Sequence, residues 1–272
     1  MEDVGASITQ RWSLDAVIAR LQQHEQIEGL LQIGSLAENA LTAASDYDLV
    51  IVLREAPQPW YVGVTHIDGR FTDLVFVAAS AMDAVQALTS SVPHNHELAP
   101  VIRWVQNGVI VFDRTGRLGH AQEQARHGEW IQPVDDQAAY GAWFAINYNL
   151  AVARRLVYAE DALYRTTARI RMAVYGHTDL WFGYFTIRRI AWDGDKAAVR
   201  YLLRNDLPFL EAYEQFIAAI AAEQKLWHYE QAATMATAPL GGVWPSGITV
   251  MNVPHTLQTW QELLGEKGTG WT

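Results

Sequence analysis

Gly34 and Ser35 are followed, after a spacer of ten residues, by Asp46-Tyr47-Asp48, and the acids run straight into Leu49-Val50-Ile51-Val52-Leu53. That apolar run is short and β-branched, which predicts a buried strand. Residues two apart on a strand point to the same face, so Asp46 and Asp48 should project side by side from its start. Neighbouring carboxylates repel unless a cation lies between them. The hard cation that suits oxygen ligands is Mg²⁺. A third carboxylate, Asp73, lies inside Phe71-Thr72-Asp73-Leu74-Val75-Phe76-Val77, which predicts a second strand. If the two strands pair as neighbours, Asp46, Asp48 and Asp73 meet. Such a set could hold two divalent ions against a nucleoside triphosphate. Gly34 would let a phosphate approach the backbone, and Ser35 would add a hydroxyl donor near a helix start.

With these residues the chain resembles the nucleotidyltransferase superfamily that includes DNA polymerase beta and the aminoglycoside adenylyltransferases. The family motif is Gly-Ser, a spacer, Asp-x-Asp and a later acid on a neighbouring strand. Gly34, Ser35, Asp46, Asp48 and Asp73 match it. The resemblance spans about residues 13 to 115, and the segment Asp193-Gly194-Asp195-Lys196-Ala197-Ala198 looks like one in the antibiotic-modifying members. It implies metal ligation and catalysis by Asp46, Asp48 and Asp73, nucleotide binding by Gly34, Ser35 and Lys196, two Mg²⁺ ions, and ATP or another nucleoside triphosphate as co-substrate. Many relatives carry a basic residue soon after Gly-Ser, where this chain has Glu38.

The elements that must position these residues can be read outward from them. Ser13 to Glu25 predicts a helix capped by Ser13, and Ile27 to Ile33 a strand interrupted by Gly29. Ala56-Pro57-Gln58-Pro59 reads as a loop, and Asp68-Gly69 as a tight turn. Further helices are expected at Ala81 to Leu88, capped by Ser80, at Glu97 to Gln106, and, after a turn at Asp113 to Gly116, to about Arg126. Val109 to Phe112 reads as a strand. His94 and His96 lie in a loop with no third metal ligand near them.

Alternating strands and helices to this point predict a mixed-sheet α/β nucleotidyltransferase domain, residues 1–132. The remainder, 133–272, predicts an all-α bundle that would bind the acceptor. Its helices are expected at Asp136 to Tyr158, Asp161 to Tyr175, Leu180 to Ile190, Lys196 to Leu203 and Leu207 to Ala222. The first is apolar nearly all round, which predicts a central place. Arg154, Arg155, Arg188, Arg189 and Lys196 are candidate phosphate contacts. Eleven tryptophans are expected mostly in cores, with Trp143, Trp181, Trp192 and Trp227 in helices. The tail from Ala238 either folds over the bundle or frays.

Composition narrows the function. With 272 residues and no cysteine, disulfides and thiolate metal sites are excluded, which fits a reducing cytoplasm. The polar start is unlike a signal peptide, and Gln137 to Ala153 is too short and too rich in asparagine to span a membrane. A net charge of −10 disfavours a partner made of long nucleic acid. The same charge suits a small cationic acceptor bearing hydroxyls, such as an aminoglycoside, with Glu97, Asp135, Asp136, Glu160 and Asp161 as spare acids. A protein or RNA acceptor, as in toxin–antitoxin relatives, and a silent nucleotide-binding module are the alternatives.

Overall fold

The computed structural model describes residues 12–56, 58 and 60–245. The chain divides into two compact units, Met1–Gln132 and Pro133–Thr272.

The first unit is built on a five-stranded mixed sheet in the order β3-β4-β2-β1-β5. The strands are β1 (Ile27–Ile33), β2 (Tyr47–Leu53), β3 (Trp60–Ile67), β4 (Arg70–Ala78) and β5 (Val109–Asp113). β2 and β4 run parallel, and the other pairs are antiparallel. One face carries Leu31, Val50, Val52, Val75 and Val77. It packs on Met82 of α3 (Ala79–Gln86), Ile102 of α4 (Leu98–Asn107) and Leu118 of α5 (Arg117–Arg126). The opposite face, with Leu30, Tyr47, Leu49 and Ile51, packs on the apolar side of α1 (Leu14–Gln23). Burial of both faces explains the near-continuous apolar runs of β1 and β2. Gly29 sits where the β1–β2 register shifts, with Leu118 Cδ2 2.9 Å from where a Cβ would be.

Ser13 caps α1 by accepting from the Ala16 amide, as its position predicts. Two expectations need correction. β3 is an additional strand, joined to β4 by a two-residue turn at Asp68 and Gly69, both with positive φ. That is the backbone a tight hairpin requires. α3 begins at Ala79, after Ala78 and with no side-chain cap, so Ser80 lies inside the helix. Pro57 and Pro59 of the expected loop lie outside the described residues.

The second unit is helical. α6 (Asp136–Val157) packs against α7 (Ala162–Arg171), α8 (His177–Ile187) and α11 (Ala222–Thr237). A π-helix, Met172–Gly176, joins α7 to α8. α9 (Asp195–Asn205) and α10 (Leu207–Ala218) complete the bundle. Aromatic rings fill its core: Tyr184 stacks on Phe209 at 4.1 Å between centroids, and Phe216 on Tyr229 at 5.2 Å. α6 is central, yet Tyr140 and Tyr148 stand on an exposed side. The helix expected to reach Ala222 ends at Ala218, and α11 starts anew. Lys225 Nζ secures that break by donating to the carbonyls of Phe216 and Ile217. Of the tryptophans read as helical, Trp181 is buried and Trp143 partly so, Trp227 is exposed, and Trp192, also exposed, lies not in a helix but in the connection between α8 and α9. From the tail, Ala238–Leu240 form a 3₁₀ turn and Trp244 packs edge-on against Phe144 and Trp143. The rest of that tail, 246–272, lies outside the described residues. Among the described residues, no helix is long and apolar enough to cross a membrane.

Candidate active site in the sheet unit

The strand register brings two of the predicted carboxylates side by side. Asp48 of β2 is paired with Asp73 of β4 across the parallel ladder, and with Ile33 of β1 on its other side. Asp48 lies two residues before Val50, and Asp73 two before Val75, so both share the face that lower down packs on α3, α4 and α5. At the sheet end the apolar cover stops and the same face carries acids. Asp46 immediately precedes β2, and all three aspartates are half-buried. Among the described residues, no three side chains of the His, Asp or Glu type stand close enough together to hold a metal ion as they are placed.

Gly34 is fitted to Asp48. β1 ends at Ile33, and Gly34 opens the single turn α2 (Gly34–Ala37) with φ +61°. A Cβ built there would lie 2.6 Å from Asp48 Oδ2. The Asp48 carboxylate therefore occupies space that any other residue at position 34 would fill. Ser35 follows, half-buried, and its carbonyl accepts from the Ala40 amide. Glu38 ends the turn and is exposed.

The loop that leads from α2 to Asp46 is fixed from β4. Arg70 Nη1 donates to the carbonyls of Thr42 at 2.6 Å and Ser45 at 2.9 Å, and its guanidinium lies over the Tyr47 ring. Thr42 and Ser45 also bond to each other, the Thr42 amide donating to Ser45 Oγ and the Ser45 amide to the Thr42 carbonyl. Asp46 thus hangs between a stapled turn and a buried strand. Sequence reasoning did not single out Arg70. Its partners are backbone carbonyls, which leave no trace in residue type.

The other predicted contacts lie in the helical unit or in the loop before α4. Arg188 donates to the carbonyls of Met235 and Ala236 and lies 3.8 Å over the Tyr184 ring. Arg189 pairs with Asp136, and Arg154 with Glu230. These three cations are engaged within the helical unit. Arg155 is exposed. Lys196 is exposed in the first turn of α9, beside a shallow groove with Val199, Arg200 and Leu203. Of the spare acids, Asp135 caps α6, Asp161 caps α7 and Asp136 pairs with Arg189. Trp60 Nε1 donates to the Glu97 carbonyl just before α4, and His96 Nδ1 accepts from the Leu98 amide, which gives His96 a capping rather than a metal-binding place.

No family model matches the chain, and no curated protein does. Among solved structures it is similar to a nucleotidyltransferase-like protein from Exiguobacterium sibiricum 255-15, at 14% sequence identity and a TM-score of 0.37, over 83% of this chain and 76% of that one. A likeness this low is no argument for a function.

Proposed function

We propose that the chain is a nucleotidyltransferase that moves a nucleoside monophosphate, AMP from ATP, to a hydroxyl group of a small acceptor. The observation that carries the reading is the pairing of Asp48 with Asp73 in register, beside Gly34 and just after Asp46. Structural economy does not call for acids at that point, because opposed like charges on neighbouring strands destabilise a sheet. Their cost is understandable if they serve a cationic ligand.

In this reading Asp46, Asp48 and Asp73 would hold Mg²⁺, with Arg70 positioning the loop that leads to Asp46. When bound, Mg²⁺ supplies charge neutralisation for the triphosphate and for the oxygens that attack and leave. Gly34 leaves room for the Asp48 carboxylate and for a phosphate, and the Ser35 hydroxyl donates to that phosphate. In this reading Asp73 helps to take the proton of the acceptor hydroxyl as that oxygen bonds to the α-phosphorus and pyrophosphate departs. A small acceptor fits a chain of net charge −10 better than a phosphate backbone does. The case for a cationic acceptor is narrower than the sequence implied, since three of the five spare acids have structural duties.

One observation favours a second reading. Three acids that do not converge on an ion as placed also suit a nucleotide-binding module without turnover. A single experiment separates the two. Mn²⁺ binding, followed by electron paramagnetic resonance, and pyrophosphate release from MgATP are measured for the parent and Asp48→Asn, with aminoglycosides, other hydroxylated antibiotics, nucleosides and short RNAs as acceptors. Transfer by the parent, reduced about a hundredfold or more in Asp48→Asn, supports the transferase. Nucleotide binding without pyrophosphate release from any acceptor supports the silent module. Equal Mn²⁺ affinity in both proteins removes Asp48 as a ligand.

A further inference from the structure

The strand register sets out the candidate site as a row across the sheet. On the face that carries the acids, the row runs Ile33, Asp48, Asp73, Val64, from β1 through β2 and β4 to β3. Asp73 therefore has a carboxylate on one side and a valine on the other. Directly opposed residues hold their Cβ atoms about 5 Å apart. One step nearer the sheet end, Phe71 of β4 is paired with His66 of β3. Residues two apart share a face, so Val62, Val64, His66 and Phe71 all stand on the side of Asp73. Trp60, on the same side of β3, packs with the core of Val75 and Val77 and meets Trp104 of α4 edge-on at 5.6 Å.

Beyond Trp60 that cover ends. Val64 is 64% exposed and Phe71 48%, and Val62 is exposed as well. His66 braces the Phe71 ring edge-on, at 5.7 Å between centroids. β3 holds no Asp, Glu, Lys or Arg. A single exposed apolar side chain is ordinary, but three on one face, adjoining a pair of carboxylates, form a patch of the kind that marks a ligand surface.

Resting on the transferase reading, we propose that this patch seats the acceptor, and that the acceptor is a hydroxyl compound with an uncharged apolar face, such as an aromatic ring, beside its reacting hydroxyl. The order across the sheet argues for the acceptor. Gly34 and Ser35 follow β1, so the triphosphate belongs on the β1 side of the acids. β4 lies on the far side of β2 from β1, and a hydroxyl that reaches Asp73 from the open side comes in over β3. There its neighbours are Val64, Val62 and Phe71. A bare polycation would find no carboxylate on β3 to meet it.

The probe is 4-nitrophenyl β-D-glucoside, with methyl β-D-glucoside, which lacks the ring, and an aminoglycoside for comparison. Binding to the full chain is followed by saturation-transfer NMR, without metal and then with Mn²⁺. The parent should bind the aryl glucoside through its ring, at least about tenfold more tightly than either comparison compound, and Mn²⁺ should broaden the ring protons. Phe71→Ala and Val64→Ser should each weaken the aryl glucoside about tenfold and leave MgATP affinity unchanged. Two substitutions guard against one that melts early. Thr65→Ala, exposed on the opposite face of β3, should bind as the parent does. No ring contact up to about 10 mM overturns the proposal. So do variants that bind as the parent does, a comparison compound bound as tightly, or a ring that Mn²⁺ does not broaden. A dimer dispersed by Val64→Lys would give the face to a second copy and overturns it too. Failure of the transferase reading shows separately, as a parent that binds neither Mn²⁺ nor MgATP before any probe is added, and it takes the acceptor assignment with it.

Discussion

Gly34→Ala should separate the stability of the sheet unit from the working of its acids. Two effects act at this position. The first is backbone strain: at φ +61° a residue with a Cβ loses about 1–2 kcal/mol relative to glycine. The second is a collision, because the added methyl carbon would start 2.6 Å from Asp48 Oδ2. That oxygen ends a rotatable side chain, so rotating the Asp48 carboxylate away is the cheapest relief. The strain alone should lower the thermal midpoint by roughly 2–8 °C for a chain of this size. Displacing a carboxylate by about 1 Å should reduce pyrophosphate release on the order of a hundredfold and weaken Mn²⁺ binding with it. Gly69→Ala is the control. Gly69 has φ +75° with nothing within 4 Å of its would-be Cβ, so it carries similar strain without the collision. It should melt earlier by a comparable amount and keep its Mn²⁺ affinity and rate. Circular dichroism melts and Mn²⁺ titrations of both variants decide the matter. If Gly34→Ala binds Mn²⁺ as Gly69→Ala does, Gly34 is an ordinary turn glycine and its fit to Asp48 is without consequence.

Ser35→Ala should weaken MgATP binding by about 1 kcal/mol, roughly fivefold by calorimetry; an unchanged affinity would leave Ser35 as a turn residue only. Arg70→Met removes both bonds to the Thr42 and Ser45 carbonyls, and should lower Mn²⁺ affinity several-fold while the rest of the sheet persists by circular dichroism. Parent-like Mn²⁺ binding in that variant would confine Arg70 to supporting its hairpin. Arg54→Met strands the Glu28 carboxylate, 5% exposed, whose Oε2 already lacks a hydrogen-bond partner. It should destabilise the chain by about 1–3 kcal/mol near neutral pH in urea melts. The hydrogen bond from Arg54 holds Glu28 below its ordinary value of 4.5, so this stabilisation is present above that value and is lost as pH falls through the lowered one. The gap between parent and variant should therefore narrow toward acid pH; a gap that stays constant would mean that the lost contact is not electrostatic.

What could be read from the residues was the part of the structure that depends on nearby sequence. β1, β2 and β4 are buried on both faces, so their β-branched runs stand out. α1 shows its cap because Ser13 lies one residue before the apolar period starts. β3 was missed for the opposite reason. It is an edge strand with Val62 and Val64 exposed, at 52% and 64%, and Gly63 between them, so burial leaves no period-two pattern to find. The break between α10 and α11 is hidden as well. Ala219-Ile220-Ala221 has no helix-breaking residue, and Ile220, 93% exposed, has no local reason to leave a helix. The turn is imposed by α10 packing on α11 and by Lys225, an override of local preference by tertiary contacts.

The same distinction runs through the site itself. Asp46, Asp48 and Asp73 could be named in advance because a charge at the start of a buried strand conflicts with its surroundings, and such a conflict is visible in residue types. Their alignment depends on β4 lying parallel to β2 with no residue of slip, since a shift by one would turn Asp73 to the α1 side. The apolar faces enforce that register: Val75 and Val77 must join Val50 and Val52 over α3, and Leu74 must meet Leu49 on the other side. The apolar core therefore suffices to align the acids. Replacing Asp48 or Asp73 by asparagine should for this reason leave the fold intact, and any loss of metal binding in such variants can be assigned to the carboxylate alone.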